Sequence, residues 1–144
     1  MITLEKMLFL KSIPLFKYTK DDVLLSLASV ISEKIIEKGQ IITNKGDFGD
    51  IMYLIVIGKV LLYDENLIIA ELGERDIFGE LAALVPDKRI ASTKAIEETF
   101  LLTLDHSLLY NLMEMNIGLV KGIMQNLCSR IRETHSILYN AVLQ

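Results

Sequence analysis

Cysteine is nearly absent: Cys128 stands alone among 144 residues. That excludes a disulfide framework and a thiolate metal cluster, and a lone thiol of this kind is expected to be buried or half-buried. Clustered lysine and arginine are also missing. With a formal charge of −4 and an isoelectric point near 5.2, the chain is not expected to neutralise a nucleic-acid backbone. Long apolar runs are absent too. The longest, Ile51–Ile57, falls far short of the roughly 20 residues a bilayer-spanning helix needs. Glu5, Lys6 and Lys11 interrupt the apolar segment a signal peptide would require. The expectation is a cytoplasmic chain that does not insert into a membrane.

Half of the residues are apolar, and the length suits a single domain, residues 1–144, with a real core. Apolar residues recur at helical spacing over 4–10 (Leu4, Met7, Leu8) and over 20–31 (Val23, Leu24, Leu27, Val30, Ile31). Thr19 and Asp22 have capping-box spacing at the start of the second helix, and Pro14 lies between the two. From Ser32 to Leu104 the pattern changes to short β-rich runs: 35–36, 41–42, 52–57, 60–63, 67–72 and 100–104. Glycines and the tip Asp64-Glu65-Asn66 divide them, which suggests a barrel or jelly roll. Glu33 to Lys38 reads as a solvated strand face. Helical spacing returns after Asp105, which can cap a helix to about Glu114, and Asn116 can cap a longer one. The fold class expected is therefore α+β and mainly β: N-terminal helices over 1–31, a jelly-roll-like barrel over 32–104, and helices over 105–144.

The stretch Phe78 to Ser92, FGELAALVPDKRIAS, carries the chemistry. Gly79 opens a short helix whose first N–H groups are unpaired donors at the positive end of the dipole, and glycine lets a ligand come close. Arg89, arriving across a loop, can close an anion cage with charge-assisted hydrogen bonds. Glu80 is an acceptor in that cage, which makes sense for a ligand that also offers hydroxyl donors. The residues point to a sugar phosphate.

The pattern F-G-E-L-A, six residues, R-x-A-S closely resembles the phosphate-binding cassette of cyclic-nucleotide-binding domains, the family of the catabolite activator protein and of protein kinase A regulatory subunits. K-G-Q-I-I at 38–42, K-G-D-F-G-D-I-M-Y-L-I at 45–55, G-K-V at 58–60 and A-E-L-G at 70–73 extend the likeness over most of the chain. The resemblance implies a ligand-binding set of Phe78, Gly79, Glu80, Leu81, Ala82, Arg89, Ile90, Ala91 and Ser92. In it the main chain of Gly79, Leu81 and Ala82 and the Arg89 guanidinium hold the cyclic phosphate, while Glu80 takes the ribose 2′-hydroxyl. One position departs: Ile90 stands where the family usually has Ala, Ser or Thr. It offers no hydroxyl to guanine, so cyclic AMP is expected over cyclic GMP. No cofactor beyond that ligand is implied.

Taken singly, a turn glycine and a surface arginine usually bind nothing; their joint spacing reverses that reading. His106 and His135 fall in predicted helices after the barrel, which disfavours a metal-holding cupin. Ser107 beside His106 cannot form a nucleophile–base pair, because adjacent helical residues point apart. No catalytic set is expected, and no metal. Within the resemblance no segment matches a DNA-recognition helix, so the expectation is a sensor that works alone or is fused to an effector. A ligand-free interaction domain of the same fold is the alternative. From Val120, the positions Met124, Leu127, Ile131, Thr134, Leu138 and Ala141 follow coiled-coil spacing. The last helix is thus expected either to act as a lid, with Ile137, Leu138 or Tyr139 at the purine, or to pair in a homodimer.

Overall fold

Apolar and β-branched residues fill Ile51–Ile57 so completely that this strand can only lie in a sheet covered on both faces, and the barrel is assembled around it. The computed structural model describes all residues 1–144. In chain order the elements are α1 (Thr3–Lys11), a 3-10 turn (Pro14–Phe16), α2 (Asp21–Val30), β1 (Ser32–Ile36), β2 (Ile41–Thr43), β3 (Phe48–Gly49), β4 (Ile51–Ile57), β5 (Val60–Asp64) and β6 (Leu67–Leu72). Then follow β7 (Ile77–Phe78), α3 (Glu80–Leu84), β8 (Asp87–Lys88), β9 (Ser92–Ala95), β10 (Thr99–Asp105), α4 (His106–Met115) and α5 (Ile117–Leu143). They form two compact units, one of residues 29–111 and one of residues 1–28 with 112–144.

The first unit is a jelly roll of antiparallel sheets. One sheet runs β1-β10-β4-β7, a second runs β2-β9-β5-β6, and a small ladder pairs β3 with β8. Between the sheets Ile36, Tyr53, Ile55, Phe78 and Leu101 of one meet Val60 and Ala95 of the other. The hairpin from Asp64 to Leu67 turns on Glu65 and Asn66, with Glu65 at positive φ. Gly58 is needed at the β4–β5 turn: its φ is 113°, and a β-carbon would run into Thr99. The exposed residues Ser32–Ile35 agree with a solvated strand face.

The second unit is helical. Leu10, Ile13, Leu15, Phe16, Leu24, Leu27, Leu119 and Ile123 are buried. Asn116 caps α5 by accepting from the Leu119 N–H at 3.2 Å, and Asp105 caps α4 by accepting from the Leu108 N–H at 2.8 Å, both at the expected positions. Gly118 and Gly122 let α5 lie directly on the Tyr18 and Leu15 carbonyls, where any side chain would collide. No helix is long and apolar enough to cross a membrane.

Two expectations are corrected. Thr19 does not close a capping box: its hydroxyl is buried without a partner, and the Asp22 carboxylate accepts instead from the neighbouring Val23 N–H. The 3-10 turn carries Thr19 inward and leaves the start of α2 to Lys20 and the acidic residues after it. Cys128 is exposed rather than buried, because it falls on the open side of α5.

Candidate functional site

At residue 79 the chain must turn from β7 into α3, and it does so through a left-handed residue, φ 78° and ψ 9°, which only glycine adopts without strain. Space demands glycine as well. A β-carbon here would sit 2.6 Å from the Ile51 carbonyl oxygen and 2.8 Å from the Arg89 Nη1. Glu80 opens α3 and is buried, with 4% of its surface exposed. Ala82 is buried as well and Leu81 is half exposed. Phe78, at the end of β7, is buried and stacks on Tyr53 with ring centroids 4.8 Å apart.

Arg89 is delivered by the β3–β8 ladder, in which Phe48 pairs with Lys88 and Gly49 with Asp87. Its backbone is bracketed by one loop: the Arg89 N–H donates to the Asp47 carbonyl at 2.7 Å, and the Gly46 N–H donates to the Arg89 carbonyl at 2.8 Å. The half-buried guanidinium donates through Nη2 to the Ile51 carbonyl at 3.0 Å and lies 5.9 Å from the centre of the Tyr53 ring. Both of these contacts are to neutral groups. Gly49 makes the seat possible, because a β-carbon there would fall within the guanidinium itself.

Gly79, Glu80 and Arg89 are therefore brought together. Burial pushes the Tyr53 phenol above its usual value, and the Arg89 charge pulls the other way. Ala91 is buried. Ser92, nearly buried in β9, accepts through its hydroxyl from the Lys45 N–H at 2.9 Å. Ile90, by contrast, is 79% exposed. Gly49, Ile51 and Tyr53 were read from the sequence only as part of a strand-and-turn landmark; the structure shows them as the seat of Arg89. The signal was Gly49 itself, a glycine just before an apolar strand.

A family model described as "Cyclic nucleotide-binding domain" matches residues 33–116, which takes in all of the barrel's strands but for the first residue of β1, and the whole cassette. The chain belongs to the cyclic nucleotide-binding domain family. Its curated relatives include a cAMP-dependent protein kinase regulatory subunit from Candida albicans, 35% identical over 69% of this chain and 22% of the relative. Another is a cyclic AMP receptor protein from Thermus thermophilus, 36% identical over 66% of this chain and 46% of the relative. Among solved structures, the catabolite activator protein of Thermus thermophilus superimposes with a TM-score of 0.79 at 28% identity, over 87% of this chain and 61% of that one. The chain thus spans less than half the length of these curated relatives. This cyclic nucleotide-binding domain is of the regulatory type that the activator and the kinase regulatory subunits carry.

Proposed function

We propose that the domain binds cyclic AMP in preference to cyclic GMP, with Arg89 and the main chain of residues 79–82 on the cyclic phosphate and Glu80 on the ribose 2′-hydroxyl. The observation that carries this reading is the guanidinium seated beside Gly79, at the head of α3, with Nη2 on the Ile51 carbonyl. The names of the Candida and Thermus relatives support adenine, and so does Ile90, which has no hydroxyl for the guanine amino group. Ser92 does not replace that hydroxyl, since it is engaged with the Lys45 backbone. The set has no reactive step to perform, and the reading is regulatory. Calorimetric titration of the parent and of Arg89→Ala with both nucleotides tests it. The variant is expected to lose about 2–5 kcal/mol of binding free energy, as when one partner of a buried charge pair is removed. A parent that fails to bind at millimolar ligand refutes the reading.

The output proposed is a change in α5, passed on to an effector. Its 27 residues span roughly 40 Å at 1.5 Å per residue, and residues 129–144 are exposed throughout. Met124, Ile131 and Leu138 on the predicted seam are each more than half exposed, an apolar stripe suited to a second copy of α5. Sedimentation of Leu127→Glu checks the pairing: the expected outcome is a monomer where the parent is a dimer, and an unchanged coefficient counts against it.

A further inference from the structure

The last carbonyls of any helix lack partners within it, and in α3 two of them are taken by one face of α4. Tyr110 donates its hydroxyl to the Leu84 carbonyl at 2.6 Å. The His106 Nδ1 lies 2.7 Å from the Ala83 carbonyl. A carbonyl can only accept, so Nδ1 carries the proton and the tautomer is fixed. The two side chains are four residues apart on α4, hence on one face, and their rings meet with centroids 4.3 Å apart and planes tilted by 48°. The His106 main chain is itself tied to the barrel, its N–H donating to the Asp50 carbonyl at 2.8 Å, just before the strand that supplies Ile51 and Tyr53. One residue thus links the far end of the cassette helix to the root of the strand on which Arg89 rests.

α3 has only five residues, too few to hold its place by its own hydrogen bonds. Whatever fixes its C-terminal end also sets where Gly79 and Glu80 stand at the other. We propose that His106 and Tyr110 are positioning residues for the ligand site, holding the cassette helix by its C-terminal carbonyls at the height that Arg89 requires. The inference rests on the ligand reading given above and assigns a role to two residues outside the proposed ligand-binding set.

The test has two arms. Without ligand, hydrogen exchange over residues 80–85 is compared in the parent, His106→Ala and Tyr110→Phe, with exchange over β4 as the control for general loosening. Protection of the cassette helix is expected to fall about threefold to tenfold while β4 is unchanged, the range of one net hydrogen bond. In the second arm, calorimetry with cyclic AMP is expected to show His106→Ala binding about threefold to tenfold more weakly. His106→Asn, whose amide nitrogen can take the place of Nδ1 as a donor, should return to within about threefold of the parent. A general packing role would not be rescued by asparagine. Unchanged protection of residues 80–85, or asparagine binding as weakly as alanine, overturns the assignment. A parent that binds no cyclic nucleotide overturns the ligand reading instead, and the exchange arm still decides whether the clamp holds α3.

Discussion

Replacing Gly49 by alanine separates the seat of Arg89 from the arginine itself. The new β-carbon would overlap Nε and Cζ of the guanidinium, so the group must leave. It is the far end of a flexible, half-buried side chain, and solvent is open to it. The fold loses a hydrogen bond to the Ile51 carbonyl, worth about 1 kcal/mol, and a ring contact with Tyr53 worth about 0.5–1 kcal/mol. Rehydration of the charge offsets part of that. Because Gly49 lies outside the left-handed region, alanine also restrains the unfolded chain, returning about 0.4–1 kcal/mol. Stability should therefore change by no more than about 1 kcal/mol. Binding has no such offset: a displaced guanidinium leaves the phosphate unmatched, for a loss of about 2–5 kcal/mol, or roughly 30-fold to several-thousand-fold in Kd. Denaturant unfolding of the free protein and calorimetry with cyclic AMP measure the two quantities separately. In an Arg89→Ala background, Gly49→Ala should cost nothing further, since both remove the same contact. Binding by Gly49→Ala within threefold of the parent would refute the reasoning.

Ile90→Thr restores a hydroxyl after the arginine and should move selectivity towards cyclic GMP in a competition assay; an unchanged ratio sinks the account of adenine preference. Tyr53 gives a pH signature. Its folded pKa is raised by burial above the unfolded value of about 10, so its contribution is fully present below that pH and is lost as pH rises through the folded value. Denaturation midpoints measured up to about pH 11 should decline less steeply in Tyr53→Phe than in the parent, and parallel curves would count against this.

The sequence announced the elements whose signals are local. β4, β5 and β6 are dense in β-branched and apolar residues, and α4 and α5 begin at Asp105 and Asn116 as their capping chemistry requires. β9 was missed because Ser92-Thr93-Lys94-Ala95 has neither the composition nor the alternation of a core strand. It is one only because β2 and β5 flank it. The two-residue strands β3, β7 and β8 are too short to have a period at all. At the site, the glycine, glutamate and arginine were legible as one motif. The seat was not, since a carbonyl from Ile51 and the missing side chain of Gly49 are contributions that residue types do not advertise. Cys128 and Thr19 were misread for the same reason: exposure and capping were inferred from residue habit, and the packing of α5 and the 3-10 turn decided otherwise.

The loop that brackets Arg89 has an implication for which changes this protein can tolerate. Asp47 and Gly46 bond to the two backbone groups of the same residue, and the β3–β8 ladder begins immediately beyond them. The side chains of Phe48, Asp87 and Lys88 are exposed and free to vary. Its length is not. One residue inserted or deleted between 44 and 50 would turn the ladder over and exchange the faces of its strands, aiming the arginine away from Gly79 while leaving every residue of the cassette motif in place. Such a chain would keep the motif and lose the site, so loop length here is a better guide to function than the cassette letters alone.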